Sequence, residues 1–160
     1  MMMNEQAAKT PGTTEAREVI VRGSAKGFAQ EIAVGGHRFI GDEPIAAGGT
    51  DAGPGPYDLL LAALGSCTSM TLGLYARRKE WPLEAVRVRL RHSKVTAGDA
   101  PEGEPKTALV ERIERDVELV GPLDDTQRAR LLEIANKCPI HRTLTSKILI
   151  DTRLRDDSKA

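Results

Sequence analysis

Three short segments of alternating apolar and polar residues come first along the chain. AREVIVRG at 16–23 alternates as a strand does, and FAQEIAV and HRFIG flank Gly35-Gly36, a pair that predicts a tight hairpin turn. Residues 42–56 are rich in Gly, Pro and Asp and have no periodicity. They therefore predict a long loop of the kind that often carries function.

A long apolar segment, PYDLLLAALGSCTSMTLGLYARR, follows this loop. Proline suits the first position of a helix, Asp58 in the first turn complements the helix dipole, and Arg77 and Arg78 suit its end. Residues 59–67 are apolar on nearly every side, which predicts burial in a core. We expect a helix roughly 33 Å long, at about 1.5 Å per residue, as the central element of the fold.

The rest of the chain predicts two more strands, a helix and a closing strand. Residues 83–95 alternate, with apolar residues at 86, 88 and 90 facing inward and arginines between them. ALVERIERDVELVG has good helix propensity, but its apolar spacing favours a second strand with room for a bulge. LDDTQRARLLEIANK predicts an amphipathic helix capped by Asp124 or Asp125, PIHRTLTS a short helical turn, and KILIDTRL a last strand. This order is typical of an α+β fold with antiparallel sheets.

Composition and charge exclude several classes of protein. Lys and Arg total 23, as do Asp and Glu, so no basic excess points to nucleic acid. No uninterrupted apolar run reaches the ~18 residues that span a membrane, and the first residues lack the apolar core of a secretory signal. We expect a cytoplasmic protein without nucleic-acid or membrane partners. One domain over 16–154 would lie between a disordered tail at 1–15 and a short tail at 155–160.

The chain has only two cysteines, and each lies in an unusual setting. Either could be a small buried apolar residue, the commonest role of a free cysteine. The opposing interpretation is a reactive pair, since cytoplasmic thiols are kept reduced and cytoplasmic disulfides are mostly transient. Cys138 precedes Pro139 and a predicted helix start, with His141 and Arg142 within one turn. Amide groups and cations in such a place lower the pKa of a thiol.

Cys67 lies in the middle of the apolar helix, where burial raises the pKa of a thiol. A reactive Cys67 therefore needs a cation from another part of the fold. Arg38, Arg17 and Arg22 in the N-terminal strands are the candidates, and sequence spacing cannot choose among them. Two cysteines are too few for a four-thiolate zinc site, and we expect no metal.

The helix GPGPYDLLLAALGSCTSMTL, the following RKEWPLE and the element CPIHRTL together resemble the OsmC/Ohr superfamily over roughly 17–152. The resemblance implies the OsmC fold, an intertwined α+β homodimer with active sites at the subunit interface. It also implies reduction of hydroperoxides, preferentially organic ones, with Cys67 as the peroxidatic cysteine and Cys138 as the resolving one. No cofactor is expected. An external dithiol, which is a lipoylated protein in the Ohr branch, would restore the thiols.

The sequence departs from the peroxidase branches at the start of the helix. Those branches carry a glutamate directly after the opening proline, where it holds the catalytic arginine. Here that position is Tyr57, and the acid follows one residue later as Asp58. Because one residue turns a side chain by about 100° on a helix, Asp58 is either the holder of the arginine or only a first-turn acid.

Further candidate residues complete the predicted site. Arg38 and Asp58 are expected to assist catalysis beside the two cysteines. His37 and His92 are expected to be structural or at the surface, whereas the third histidine lies beside Cys138. Substrate-binding positions are expected at Tyr57, Leu64, Met70 and His141.

Two other functions stay open at this point. One is a protein that binds a small hydrophobic or electrophilic ligand, with cysteines that are incidental or sensing. The other is a redox partner that exchanges disulfides with proteins, although the chain has no Cys-x-x-Cys motif. Ligand binding that survives Cys67→Ser would favour the first, and a mixed disulfide trapped by Cys138→Ser would favour the second.

Overall fold

The structure of the protein is a computed structural model, and it describes residues 18–96 and 109–155. The chain divides into two compact units, one through Pro56 and one from Tyr57 onwards. The predicted tail at 1–15 and most of the predicted tail at 155–160 lie outside the described residues, as do residues 98–106 between the two predicted strands.

The described part of the first unit contains a three-stranded antiparallel sheet in the order β1 (Val19–Gly23), β2 (Gln30–Val34), β3 (His37–Gly41). β2 and β3 pair from Val34↔His37 onwards across the predicted two-glycine turn, and Gly35 has a positive φ of 55°. The hairpin prediction is therefore confirmed.

The loop after β3 is organised around one buried carboxylate, that of Asp42. It accepts hydrogen bonds from the amides of Glu43, Thr50 and Ala52, at 2.8, 3.0 and 3.2 Å, and from the Thr50 hydroxyl. The Thr50 hydroxyl is the largest cause that brings the pKa of Asp42 down to about 2, against a smaller opposing effect of burial. The carboxylate thus closes a loop that has little regular structure, apart from a 3-10 turn at Ile45–Ala47.

We expect Asp42→Asn to loosen this loop, because an amide places two N–H donors among groups that already donate. Exchange of the Thr50 and Ala52 amides with deuterium should become at least roughly tenfold faster. The folded pKa of Asp42 is lowered, so its stabilising effect is present above the usual carboxyl pKa and is lost as the pH falls towards 2. Asp51→Asn, at an exposed loop position, is the control and should leave exchange unchanged. Equal exchange in all three proteins would contradict this role of Asp42.

The second unit begins at Tyr57, the second residue of α1 (Pro56–Arg78). Its described part also contains β4 (Ala85–Thr96), β5 (Leu109–Val120), α2 (Asp125–Ala135) and α3 (Pro139–Leu144). β4 and β5 form an antiparallel pair in continuous register from Ala85↔Val120 to Thr96↔Leu109, so the segment with ambiguous propensity is a strand and has no bulge. Asp124 caps α2 through a capping box with Gln127, which decides between the two predicted caps.

The core of this unit lies between α1, α2 and the β4–β5 pair. Its buried members are Leu72, Ala76, Leu123, Leu131, Ile134 and Ala135. Partly buried side chains from both strands and from the α1–β4 connection pack against them, including Trp81, whose ring meets Tyr75 edge-on at 5.5 Å. The α+β class with antiparallel sheets and a long helix is thus confirmed.

Two predictions about burial and strands were wrong. Residues 59–67 of α1 are not buried on every side, since Ala62 and Ala63 are exposed and Met70 beyond them is 71% exposed. The predicted strand at 147–154 is absent from the structure, because no described strand pairs with it, and its apolar residues Ile148–Ile150 and Leu154 are exposed. By length and hydropathy alone α1 could also cross a membrane, but helices in the cores of folded domains share these two properties.

Candidate active site

The two cysteines, 71 positions apart in sequence, meet inside the second unit. Both are free thiols, and the Cys67 thiol lies close enough to Cys138 to help lower the pKa of its thiol. Their exposures differ: Cys67 is partly exposed, whereas Cys138 is 0% exposed. The site therefore has one thiol that a small molecule can reach and one that it cannot.

Local sequence explains how Cys138 is held. α2 ends at Ala135, and Pro139 opens α3, so Cys138 lies in the tight connection between the two helices as the N-cap of α3. Proline is suited to the first helical position because it has no amide hydrogen to satisfy there. The Cys138 sulfur accepts a hydrogen bond from the His141 amide at 3.3 Å, which fixes its side chain.

A chain of hydrogen bonds links Cys138 to an arginine. The hydroxyl of Thr68, which is fully buried on α1, lies 3.6 Å from the Cys138 sulfur. The Arg115 guanidinium on β5 donates to that hydroxyl at 2.9 Å and to the Asn136 side chain at 2.8 Å. Arg115 thus connects β5 to α1 and to the end of α2 around the buried thiol.

These contacts determine the ionisation of Cys138. Burial acts to raise the pKa of its thiol. Hydrogen bonds from the His141 amide and the Thr68 hydroxyl act in the opposite direction, as do the neighbouring Cys67 thiol and the charge of Arg115. The net effect is that the pKa of Cys138 lies below its usual value.

The surroundings of His141 favour the neutral form of its imidazole. Burial, and then the nearby charge of Arg115, hold its pKa below its usual value. His141 is therefore neutral at neutral pH and adds no positive charge beside Cys138.

A cavity of about 420 Å³ adjoins this cluster. Its apolar wall is formed by Leu64, Ile113 and Leu144, and its polar wall includes Arg115 and His141. Asn136, Thr145 and Glu111 complete the lining. Within residues 18–96 and 109–155, no cluster of three or more His, Cys, Asp or Glu side chains is arranged to hold a metal ion.

Residues 49–153, more than half of the chain, match the family model described as OsmC-like protein. The chain belongs to the OsmC-like family. No curated protein sequence matches this OsmC-like protein.

Solved structures from several bacteria have the same fold. An OsmC-like protein from Mycoplasma pneumoniae is 18% identical, with a TM-score of 0.61 over 82% of this chain and 89% of that chain. An organic hydroperoxide resistance protein OsmC from Legionella pneumophila is 15% identical, with a TM-score of 0.62 over 84% and 92% of the two chains. The organic hydroperoxide resistance protein OhrB of Bacillus subtilis is 21% identical, with a TM-score of 0.56 over 81% and 90%.

The departure at the start of α1 has a structural counterpart in this OsmC-like protein. Tyr57 stacks on the His92 ring at a centroid distance of 4.2 Å. His92 in turn contacts the Glu111 carboxylate, which also pairs with Lys94 at 3.2 Å. The hydrogen bond to His92 is the largest cause that lowers the pKa of Glu111. Tyr57 is thus stacked on a ring of β4, next to an ion pair between β4 and β5.

The other predicted site residues have varied positions. Leu64 is buried and lines the cavity with His141, whereas Met70 is exposed. Arg38 lies exposed on β3 and forms an ion pair with Glu31 at 2.7 Å. Asp58 is exposed in the first turn of α1. The catalytic roles of Arg38 and Asp58 stay predictions.

Sequence reasoning missed Arg115, because it sought the cation in the N-terminal strands. A signal was available in the alternation of β5. Arg115 lies between Ile113 and Val117 at the half-buried positions of this strand, whereas its neighbours Glu114 and Asp116 are exposed. A charged residue on the inward face of a strand needs a partner, and here its partners are Thr68 and Asn136.

Proposed function

We propose that this OsmC-like protein reduces organic hydroperoxides by a two-cysteine mechanism, with Cys67 attacking the peroxide and Cys138 resolving the product. The observation that carries the proposal is the proximity of two free thiols of unequal exposure. A peroxide from solvent meets Cys67 first, since Cys138 is enclosed.

In the first step, the sulfur of Cys67 attacks the terminal oxygen of the hydroperoxide. A sulfur–oxygen bond forms and the oxygen–oxygen bond breaks. The thiol proton of Cys67 ends on the departing alkoxide, so an alcohol leaves and Cys67 becomes a sulfenic acid. The sulfur is oxidised and the peroxide is reduced by two electrons.

In the second step, the Cys138 thiolate attacks the sulfur of Cys67. A sulfur–sulfur bond forms, the sulfur–oxygen bond breaks, and hydroxide leaves and takes a proton from solvent. An external dithiol then reduces the disulfide by exchange and becomes a disulfide itself, which returns both thiols of the protein. A dithiol of this kind is abundant in the cytoplasm, where we place the protein.

Two observations favour an organic peroxide. The cavity lined by Arg115, Asn136 and His141, the groups around Cys138, also has the apolar side chains of Leu64, Ile113 and Leu144, which would hold an alkyl or aryl group. The structurally similar proteins from Legionella pneumophila and Bacillus subtilis are organic hydroperoxide resistance proteins.

The unit of function that we propose is a homodimer. α1 exposes Ala62, Ala63 and Met70 along one side, and the extended Ile148–Ile150 presents apolar side chains without a described strand partner. Such surfaces are commonly covered in an assembly. A second copy of the chain is the partner that the family resemblance implies.

The decisive experiment is rapid mixing of the reduced protein with cumene hydroperoxide and, separately, with hydrogen peroxide, followed by thiol counting and mass spectrometry. We expect loss of both thiols as one Cys67–Cys138 disulfide per chain, at least roughly tenfold faster with the organic peroxide. Thiols that react no faster than free cysteine would sink the proposal. In that case, saturable binding of the hydroperoxide without oxidation would favour a ligand-binding protein.

A further inference from the structure

We propose that Arg115, acting through the hydroxyl of Thr68, stabilises the thiolate form of Cys138, so that the cation of this site serves disulfide formation rather than the attack on peroxide. The proposal rests on the two-cysteine function above and adds to it a positioning residue. It assigns Arg115 to the second chemical step.

Arg115 acts on the Cys138 sulfur through an intermediate group, the hydroxyl of Thr68. Its guanidinium donates to Thr68 at 2.9 Å, and Thr68 is the next residue after Cys67 on α1 but faces the buried side of the helix. The Thr68 hydroxyl lies 3.6 Å from the Cys138 sulfur. A second hydrogen bond from Arg115, to the Asn136 side chain at 2.8 Å, holds the end of α2 two residues before Cys138.

The proton of the Thr68 hydroxyl has two acceptors within reach. The hydroxyl oxygen is 2.7 Å from the Leu64 carbonyl and 3.6 Å from the Cys138 sulfur, and it carries one hydrogen. While Cys138 is a thiol, its S–H donates to Thr68 and Thr68 donates to Leu64. Once Cys138 is a thiolate, the hydroxyl can turn and donate to sulfur, while Arg115 continues to donate to the hydroxyl oxygen. The three groups therefore accommodate both forms of Cys138 without moving the backbone.

The charges facing Cys138 come from each element that packs against it. β5 contributes Arg115, α1 contributes the Cys67 thiol, and α3 contributes His141, which is neutral at neutral pH. A cation in a buried site acts more strongly than one in water, because the surroundings screen it less. Of these groups, Arg115 supplies the positive charge.

This placement suits the resolving step. A stabilised thiolate form of Cys138 makes its attack on the sulfenic acid of Cys67 faster. Rapid disulfide formation leaves little time for a second peroxide to oxidise Cys67 to the irreversible sulfinic acid.

The test compares two rates in the wild type, Arg115→Gln and Arg115→Lys. Sulfenic acid formation is followed with a dimedone-type trap, and disulfide formation by mass spectrometry after rapid quenching. For Arg115→Gln we expect disulfide formation to slow by at least about tenfold, sulfinic acid at Cys67 to accumulate, and sulfenic acid formation to change less than about threefold. Arg115→Lys, which keeps the charge but cannot bridge Thr68 and Asn136, should recover part of the rate. Arg112→Gln, at an exposed position of the same strand, should match the wild type.

A second readout needs no peroxide. The absorbance of the Cys138 thiolate is followed against pH in three proteins: Cys67→Ser alone, Cys67→Ser with Arg115→Gln, and Cys67→Ser with Thr68→Val. We expect each of the two substitutions to raise the titration midpoint by about one pH unit, and Thr68→Ser to restore it. Unchanged midpoints would overturn the inference, as would an Arg115→Gln protein in which only sulfenic acid formation is slower. If wild-type thiols ignore peroxide, the proposed function fails, and the titration still decides the role of Arg115.

Discussion

Cys67→Ser is expected to lower the rate of hydroperoxide reduction by roughly 10³-fold or more, because a serine oxygen is a far weaker nucleophile towards peroxide than sulfur and is not readily oxidised. Cys138→Ser should behave differently. Its Cys67 would still react with the first equivalent of peroxide, but the sulfenic acid would persist without a partner and would go on to sulfinic acid. The measurement is peroxide consumption in the presence of a dithiol, together with the mass of each variant after one equivalent of peroxide.

The unequal exposure of the two thiols makes this pair of variants informative. If Cys138 were the attacking residue, Cys138→Ser would consume no peroxide and Cys67→Ser would form the sulfenic acid. Ser66→Ala, at an exposed position next to Cys67 on α1, is the matched control and should retain the wild-type rate. Its hydroxyl donates to carbonyl groups of its own helix, at Ala62 and Ala63.

The elements of the fold were predictable where periodicity was strong. The apolar segment with Pro56 at its start and Arg77 and Arg78 at its end is the helix Pro56–Arg78, and the alternation in 83–95 is β4. Local signals suffice for these elements because the spacing of their apolar residues matches the period of a helix or a strand over many residues. The strand predicted at 147–154 failed for the opposite reason, since apolar alternation needs a neighbouring strand to supply hydrogen bonds.

The chemistry of the site was predictable in part. The two cysteines could be singled out from their settings, but no spacing rule indicates that positions 67 and 138 meet, since contact between distant segments is decided by tertiary packing. Arg115 was missed for the same reason. Its partners Thr68 and Asn136 come from two helices on either side of β5 in the sequence, and only the packed unit brings them together.

Leu131→Ala is expected to destabilise the second unit by about 3 kcal/mol, within the range of roughly 2–5 kcal/mol for a leucine removed from a tight core. Leu131 is 0% exposed and packs in the cluster with Leu72 and Ala135. Its neighbour Leu132 is 57% exposed, so Leu132→Ala should change the free energy of unfolding by less than about 0.5 kcal/mol. Urea unfolding followed by the fluorescence of Trp81, the single tryptophan of the chain, measures both. Similar losses in the two variants would contradict the assignment of the core.

The same substitution should reach the active site through α2. Ala135 and Ile134 belong to the cluster that Leu131 fills, and they precede Cys138 by three and four residues. Loosening the cluster therefore increases the fraction of molecules in which the connection to α3 opens and Cys138 meets solvent. We expect alkylation of Cys138 in Leu131→Ala to be faster than in the wild type by roughly the factor that the loss of stability predicts, about 10²-fold, while Leu132→Ala stays at the wild-type rate. Faster alkylation of Cys67 alone would instead mean that the core and the buried thiol open independently.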